Sequence, residues 1–166
     1  MLHKRYILSA NEALQKLHRM SLELAEKLSG NEDPVLLIGV RNSGMVIAEK
    51  VGKLLANYIA NDIRIVSVIL DKDWPETVEL SEPVVLDGVN IILIDDVTNS
   101  GRTLLYALKP LLDAHPKTIQ TLVLVERMHK LFPIKPDYVG ISVSTTQTEH
   151  IIVEVEGGEI QGAFVG

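Results

Sequence analysis

The residues best suited to chemistry are Asp95 and Asp96. These adjacent carboxylates follow the apolar run Ile91-Ile92-Leu93-Ile94 and precede the polar turn Thr98-Asn99-Ser100-Gly101-Arg102-Thr103. Such a pair can hold hydroxyl groups, or a hydrated Mg²⁺ that travels with a phosphate. The turn can hold the phosphate itself. Gly101 lets backbone approach a ligand closely, and Ser100 and Thr103 add hydroxyls. The N–H groups that open the following helix have no internal partner and carry the positive end of its dipole, roughly half an elementary charge. The pattern lacks the Gly-x-x-x-x-Gly-Lys of a Walker loop and the Gly-x-Gly-x-x-Gly of a dinucleotide fingerprint, and its acids come before the turn. Carboxylates placed on a phosphate would repel it. A sugar phosphate suits both halves, with vicinal hydroxyls on the acids and the 5-phosphate on the turn.

These groups need a scaffold. Residues 5 to 8 read as extended, and Ser9-Ala10-Asn11-Glu12 reads as a capping box, with Ser at the cap and Glu three residues on. Leu14, Leu17, Met20, Leu24 and Leu28 follow at helical spacing, with Gly30 closing the helix. Pro34 to Gly39 is a short buried strand, 40 to 44 a polar turn, about 44 to 60 a helix and Ile63 to Leu70 a strand. Residues 71 to 88 are acidic, hold two prolines, and read as a long mobile excursion. Strands are predicted over 90–95, 118–126 and 138–143, a helix over 101–114, and a hairpin over 151–156 and 160–165 with Gly157-Gly158 in its turn. Alternating strand and helix predicts an α/β fold, a doubly wound and mostly parallel sheet with right-handed crossovers, plus a small C-terminal β-hairpin or hood. Ligands of such sheets sit beyond the carboxyl ends of the strands, where the turns at 40–44, 71–88 and 95–103 fall.

The 166 residues fit one domain, 1–166, with no visible linker or repeat. Hydrophobic residues make up 46% but aromatics only 4%, so the core is aliphatic, as suits strands covered on both faces. Cysteine is absent, which excludes disulfides and thiolate metal sites and agrees with a cytoplasmic location. No apolar run is long enough for a membrane span, and the start of the chain has no signal-peptide core. The net charge of −6 argues against a general affinity for nucleic acid. His3, His18, His115, His129 and His150 show no ligand spacing, so no transition-metal site is expected.

Residues 91–104, IILIDDVTNSGRTL, resemble the phosphoribosyl pyrophosphate (PRPP) binding motif of type I phosphoribosyltransferases. The stretches VLVERMHK (123–130) and LFPIKPDYVGISV (131–143) resemble the PyrR type, the pyrimidine-operon attenuator and uracil phosphoribosyltransferase family. The likeness runs from the first helix to about residue 145. It implies transfer of the phosphoribosyl group of PRPP to uracil, giving UMP and pyrophosphate, with Mg²⁺ as cofactor. It assigns Asp95 and Asp96 to the ribose hydroxyls, with Mg²⁺ beside them and no residue fixed as a direct metal ligand. Asn99, Ser100, Gly101, Arg102 and Thr103 take the 5-phosphate. Val40, Arg41, Asn42, Ser43 and Gly44 form the pyrophosphate loop, where Arg41 offers a fork of donors. The family's cis non-proline peptide would fall at Val40–Arg41. The catalytic loop lies within 71–88, with Lys72 in place of the usual arginine and Trp74 as a hinge anchor or subunit contact. The base lies over 127–142, within a hood of about 127–165, against Arg127 and the backbone of Val139, Gly140 and Ile141.

The resemblance also implies a homodimer or higher homo-oligomer, and an mRNA leader as a further partner. The clearest basic concentration is His3-Lys4-Arg5 with Lys16, His18 and Arg19, and Lys16 and Arg19 share a helix face. Two other readings stay open: a 6-oxopurine phosphoribosyltransferase, and an RNA-binding nucleotide sensor with little catalysis. Position 99 separates the first from a uracil enzyme. The 6-oxopurine enzymes usually place an aspartate there to assist the purine N7, and Asn99 cannot accept a proton in that way.

Overall fold

The computed structural model describes residues 4–71, 73–74 and 76–166. His3 and Lys72, both singled out from the sequence, lie outside them. Chain order runs β1 (Arg5–Ser9), α1 (Ala10–Lys27), β2 (Val35–Val40), α2 (Ser43–Leu55), β3 (Ile63–Leu70), β4 (Val78–Leu80), β5 (Asn90–Thr98), α3 (Arg102–Ala107), β6 (Thr118–Arg127), β7 (Tyr138–Val143), β8 (Ile151–Glu156) and β9 (Glu159–Val165). A six-stranded sheet has the order β4-β3-β2-β5-β6-β7. Its pairings are parallel except for β3 with β4.

The aliphatic runs build two cores, one on each face of this sheet. Ile92 and Ile94 of β5 pack with Leu37 of β2 and with Leu17, Met20 and Leu24 of α1 and Ile47, Val51 and Leu55 of α2. Ile91 and Leu93 pack on the other face with Leu36 and Ile38 of β2 and with Leu104, Ala107 and Leu111. The alternation follows from the two-residue period of a strand. Together the faces give the α/β sandwich, with a mostly parallel central sheet, that the sequence predicts.

The boundaries differ in ways that have local causes. The capping box forms as expected, with Glu12 N–H donating to Ser9 Oγ at 3.1 Å and Ser9 N–H to Glu12 Oε1 at 3.0 Å. Helix α1 ends at Lys27, and Gly30 serves the turn beyond it with φ +79°. Helix α2 stops at Leu55, where Asn57 Nδ2 donates to the Lys53 carbonyl. The helix expected over 101–114 breaks after Ala107 into a 3-10 turn at Lys109–Leu111, because Pro110 has no N–H to continue it. Strand β5 runs to Thr98 rather than Asp95, paired through Val97 with Val125 and Thr98 with Glu126. The excursion at 71–88 is part of the sheet at Val78–Leu80, whose alternating Val-Glu-Leu pairs with β3. Ser81 reinforces that pairing: its N–H donates to Ser67 O at 2.8 Å, and its Oγ accepts from Ser67 N–H at 3.1 Å.

The expected hairpin forms through Gly157 (φ +59°) and Gly158 (φ +75°). It does not stand alone, since β1 pairs antiparallel with β9 to make a three-stranded sheet, β1-β9-β8. Leu8, Ile151, Val153, Ala163 and Val165 join the core that covers α1 and α2.

At Gly140 a Cβ would stand 2.3 Å from the Leu124 carbonyl oxygen of the neighbouring strand. Gly140→Ala is therefore expected to push β7 off β6 and cost about 1–3 kcal/mol, read as a lower midpoint in thermal or urea unfolding.

Candidate functional site

The order of the strands opens the site. From β2 the chain continues to β3 on one side, and from β5 to β6 on the other. The loops leaving these adjacent strands diverge, which makes a crevice at their carboxyl ends. Two glycines bring its walls together. A Cβ on Gly39 would meet Met45 Cα at 2.6 Å, and one on Gly44 would meet Ile94 O at 2.8 Å and Asp95 Oδ1 at 3.2 Å. The start of α2 thus lies directly against the end of β5. The cis peptide in this loop is Arg41–Asn42, one residue later than the sequence suggests. Arg41 N–H still belongs to the sheet, donating to Val68 O at 3.2 Å, so the chain turns only after it. Val40 is buried, Arg41 and Asn42 are exposed, and Ser43 is half-buried.

A cavity of about 240 Å³ sits beyond β5, lined by Asp95, Val97, Thr98 and the whole turn Asn99 to Thr103. The five residues assigned to the 5-phosphate therefore share one concave surface with Asp95. Gly101 has φ +87°, and a Cβ there would meet Ile134 Cγ2 at 2.7 Å. The turn is held from outside: Ser100 O accepts from Leu131 N–H at 2.9 Å and from Phe132 N–H at 3.0 Å. Ser100 Oγ accepts from Arg102 N–H at 3.3 Å. Helix α3 is short, so hydroxyls, the Arg102 side chain and backbone N–H groups count for more here than a helix dipole.

Asp95 is 1% exposed, and its Oδ1 accepts from Asp96 N–H at 2.8 Å. Asp96 is half-buried, and its Oδ1 accepts from Val97 N–H at 2.8 Å. These local bonds fix the orientation of both carboxylates at the strand end. Asp96 does not line the cavity, whereas Asp73 does. The sequence marked Asp73 only as part of an acidic excursion, and no spacing pointed to it.

Strand β7 and its flanks, where the base was placed, are arranged differently from expectation. Arg19 of α1 donates from Nη2 to the carbonyls of Val139 and Gly140, both at 2.9 Å, and from Nη1 to Glu23 at 2.5 Å. Those two carbonyls are thus already bonded, and Arg19 is no freely solvated cation. Val139 and Ile141 pair with Val123 and Val125 of β6. Arg127 is 9% exposed and reaches the segment after β7, with Nε to Thr145 Oγ1 at 2.5 Å and Nη2 to Thr146 O at 2.6 Å.

Glu126 beside it accepts from Ser142 Oγ at 2.8 Å and pairs with Lys130 at 2.7 Å. Burial pushes the Glu126 carboxyl up, but the hydrogen bonds from Lys130 and Ser142 and the charges of Lys130 and Lys135 outweigh it and hold the carboxyl below its ordinary value. Burial, with the charge of Asp137, pushes the Tyr138 hydroxyl up to about 12, so it stays a neutral donor to Gln120.

Because Glu126 is depressed in the folded chain, its stabilising contribution is complete above the ordinary value of 4.5 and is lost as pH falls through the lower folded-state value. Glu126→Gln is expected to lower the unfolding temperature at neutral pH, with the gap to the unmutated protein closing below that value in a thermal-melt series. A gap independent of pH would exclude the charge as its cause.

A phosphoribosyl transferase domain model matches residues 5–156. The chain is 33% identical over 162 residues to a bifunctional protein PyrR of Enterococcus faecalis, covering 92% of this chain and 90% of that one. It is 31% identical over 172 residues to the bifunctional protein PyrR of Thermus thermophilus, covering 98% and 93%. Among solved structures it is similar to the hypoxanthine phosphoribosyltransferase of Trypanosoma cruzi, with TM-score 0.81, 15% identity and coverage of 97% and 95%. It is also similar to a hypoxanthine-guanine phosphoribosyltransferase of Bacillus anthracis, with TM-score 0.75, 20% identity and coverage of 96% and 97%. At those identities the structural likeness shows the fold.

Proposed function

The chain belongs to the phosphoribosyltransferase family, and from that premise we propose that it transfers the phosphoribosyl group of PRPP to uracil, giving UMP and pyrophosphate. The observation that carries the reading is the cavity beyond β5, where a buried carboxylate and a polar turn face one space. Asn99 to Thr103 bind the 5-phosphate through hydroxyls, the Arg102 guanidinium and backbone N–H. Asp95 and Asp96 hold the ribose hydroxyls. Arg41, exposed beside the crevice, and the loop from Val40 to Gly44 receive the pyrophosphate. The bond from C1 to pyrophosphate breaks as the base nitrogen arrives, and negative charge grows on the leaving group. Donors fixed in advance around that charge stabilise the transition state more than the ground state. Asp95 and Asp96 offer hard oxygens beside which a hydrated Mg²⁺ carried by PRPP would sit, where it would offset charge on the pyrophosphate. Residues 71–88 serve as the catalytic loop of a single domain, and 127–165 as the side that receives the base. Asn99, in place of the aspartate usual in 6-oxopurine enzymes, favours uracil over hypoxanthine or guanine.

Incubating the protein with PRPP, Mg²⁺ and a panel of nucleobases, with pyrophosphate release as the readout, is expected to give uracil the highest kcat/KM. Preferred turnover of hypoxanthine or guanine would replace this reading with the purine one. Asp95→Asn and Asp96→Asn are each expected to lower kcat/KM about ten- to a hundredfold, the loss of one charge-assisted hydrogen bond of roughly 1.5–3 kcal/mol. Full activity of both variants at limiting PRPP would remove the acids from the hydroxyl-binding role.

A second role is supported by the word bifunctional in the relatives' name. We assign it to binding of a pyrimidine-leader RNA by a homo-oligomer in the cytoplasm. Arg19 is occupied by Glu23 and two carbonyls, so Lys16 is the better probe of the basic face. With UMP present, RNA retention on filters is expected to fall as salt rises, and to fall by a further increment in Lys16→Glu while uracil turnover persists. No retention at low salt would leave the enzyme alone.

A further inference from the structure

The connection between β6 and β7 stands behind the phosphate turn. It is tied to the sheet near both ends: Met128 N–H donates to Val143 O at 3.0 Å, and Asp137 N–H to Thr121 O at 3.0 Å. Between these ties Leu131 N–H and Phe132 N–H both donate to Ser100 O, at 2.9 and 3.0 Å. Side chains seat this strap. Phe132 meets Tyr106 of α3 edge-on, with ring centroids 6.5 Å apart, and Ile134 packs against the core that holds Leu104 and Ala107. The Leu131 side chain is 82% exposed, so what this residue contributes to the turn is its backbone.

The two donors fix a peptide plane. The Ser100–Gly101 peptide is trans, and in a planar trans peptide the carbonyl and the N–H point in opposite directions. A Ser100 carbonyl held toward the strap therefore turns the Gly101 N–H away from it. Leu131, Phe132 and Ile134 do not line the cavity, whereas Ser100 and Gly101 do, so the side away from the strap is the side of the cavity. A Cβ on Gly101 would point the other way, to 2.7 Å from Ile134 Cγ2. Among the described residues no group of the chain accepts from the Gly101 N–H. Gly101 has φ +87° and ψ −4°, the angles of the third residue of a type II turn. Rotating the preceding peptide by about half a turn gives the type I form, which would aim a carbonyl oxygen where the N–H now points. Glycine permits both forms, so the turn's own sequence does not choose between them.

We propose that residues 131–134 are a positioning element for the phosphate turn, whose two N–H groups select the peptide orientation that presents the Gly101 N–H to the 5-phosphate. The inference rests on the phosphoribosyl-transfer reading and adds to it residues outside the cavity that set affinity for one end of the substrate. With the peptide held, the phosphate meets a donor already in place. With it released, part of the population places an acceptor opposite the phosphate, and apparent affinity falls by the fraction that stays competent. Leu131, Phe132 and Ile134 act through Ser100 and Gly101 and touch no substrate.

The test uses the full chain with Mg²⁺. It measures binding of ribose 5-phosphate and of pyrophosphate by calorimetry, with pyrophosphate release from PRPP and uracil as a separate readout. Leu131→Pro removes one donor and is compared with Leu131→Ala, which keeps the N–H. Phe132→Leu loosens the seat of the strap and carries the test if the proline variant does not fold. Each is expected to weaken ribose 5-phosphate about three- to tenfold, the range of one neutral hydrogen bond, while pyrophosphate stays within about twofold. KM for PRPP is expected to rise more than kcat falls. In the unmutated chain the Gly101 amide resonance is expected to shift when ribose 5-phosphate is added. A Gly101 amide that does not respond, or no binding of ribose 5-phosphate at all, overturns the inference. So does unchanged ribose 5-phosphate affinity in folded variants. Loss of both ligands in the same proportion also overturns it, by making the strap structural only. No turnover of any nucleobase, with the selective loss of ribose 5-phosphate intact, defeats the transferase reading and leaves this one standing. Turnover of uracil with unchanged ribose 5-phosphate affinity in the variants does the reverse.

Discussion

The close approach of the loop after β2 to the end of β5 is the constraint on which the site depends. Gly39 and Gly44 leave no room for a Cβ between strand, loop and helix. A side chain at either position would lift the start of α2 away from Asp95 and widen the crevice that the diverging crossovers create. Central parallel strands are rigid because both faces are covered. The loops at their carboxyl ends therefore inherit fixed starting points, and short loops from fixed points hold polar groups in place at small entropic cost.

The two ends of the sheet treat polar groups in opposite ways. At the amino end, Asn90 is 1% exposed and exchanges hydrogen bonds with Asn31, at 3.1 and 3.2 Å, while Asn61 holds the carbonyls of Asn31 and Asp33. Thr118 Oγ1 donates to Asn90 Oδ1 at 3.1 Å, so β2, β5 and β6 are tied together there by a saturated amide network. At the carboxyl end the acids, hydroxyls and arginines are arranged around open space. Burial of polar side chains is tolerated at both ends because each is bonded, and among the described residues no buried side-chain polar atom lacks a partner.

The edge strand β7 and the segment after it are each held by a hydrogen-bond network centred on an arginine. Among the described residues the outer edge of β7 pairs with no strand, and an unpaired edge presents carbonyls that need donors. Arg19 meets that need from α1, and Glu23 balances its charge. Arg127 does the same for the segment after β7 and remains 9% exposed. Guanidinium suits both tasks, since its planar fork donates in several directions and keeps its charge at any working pH.

How much was legible from the sequence depends on the range of the interaction. The capping box at Ser9, the strand at Ile63–Leu70, the Gly157-Gly158 hairpin and the polar turn at 99–103 are local events. Each is set by residues within a few positions of one another, so their types and spacing are enough. Pro110 was also local, yet the sequence reading carried the helix through it to 114, and its missing N–H is what ends the helix early. The pairing of β1 with β9 was not legible, because it joins the two ends of the chain. Nor was the capture of the Val139 and Gly140 carbonyls by Arg19, some 120 residues away. A basic residue on a helix reads as a solvated cation until the fold brings an unsatisfied edge beside it. Sequence alone marked the segments, the acids at 95–96 and the polar turns at 40–44 and 99–103, that are proposed to bind a sugar phosphate. Only the tertiary structure decided which polar groups around them were already engaged, because hydrogen-bond partners are set by proximity in space, and order along the chain does not specify that proximity.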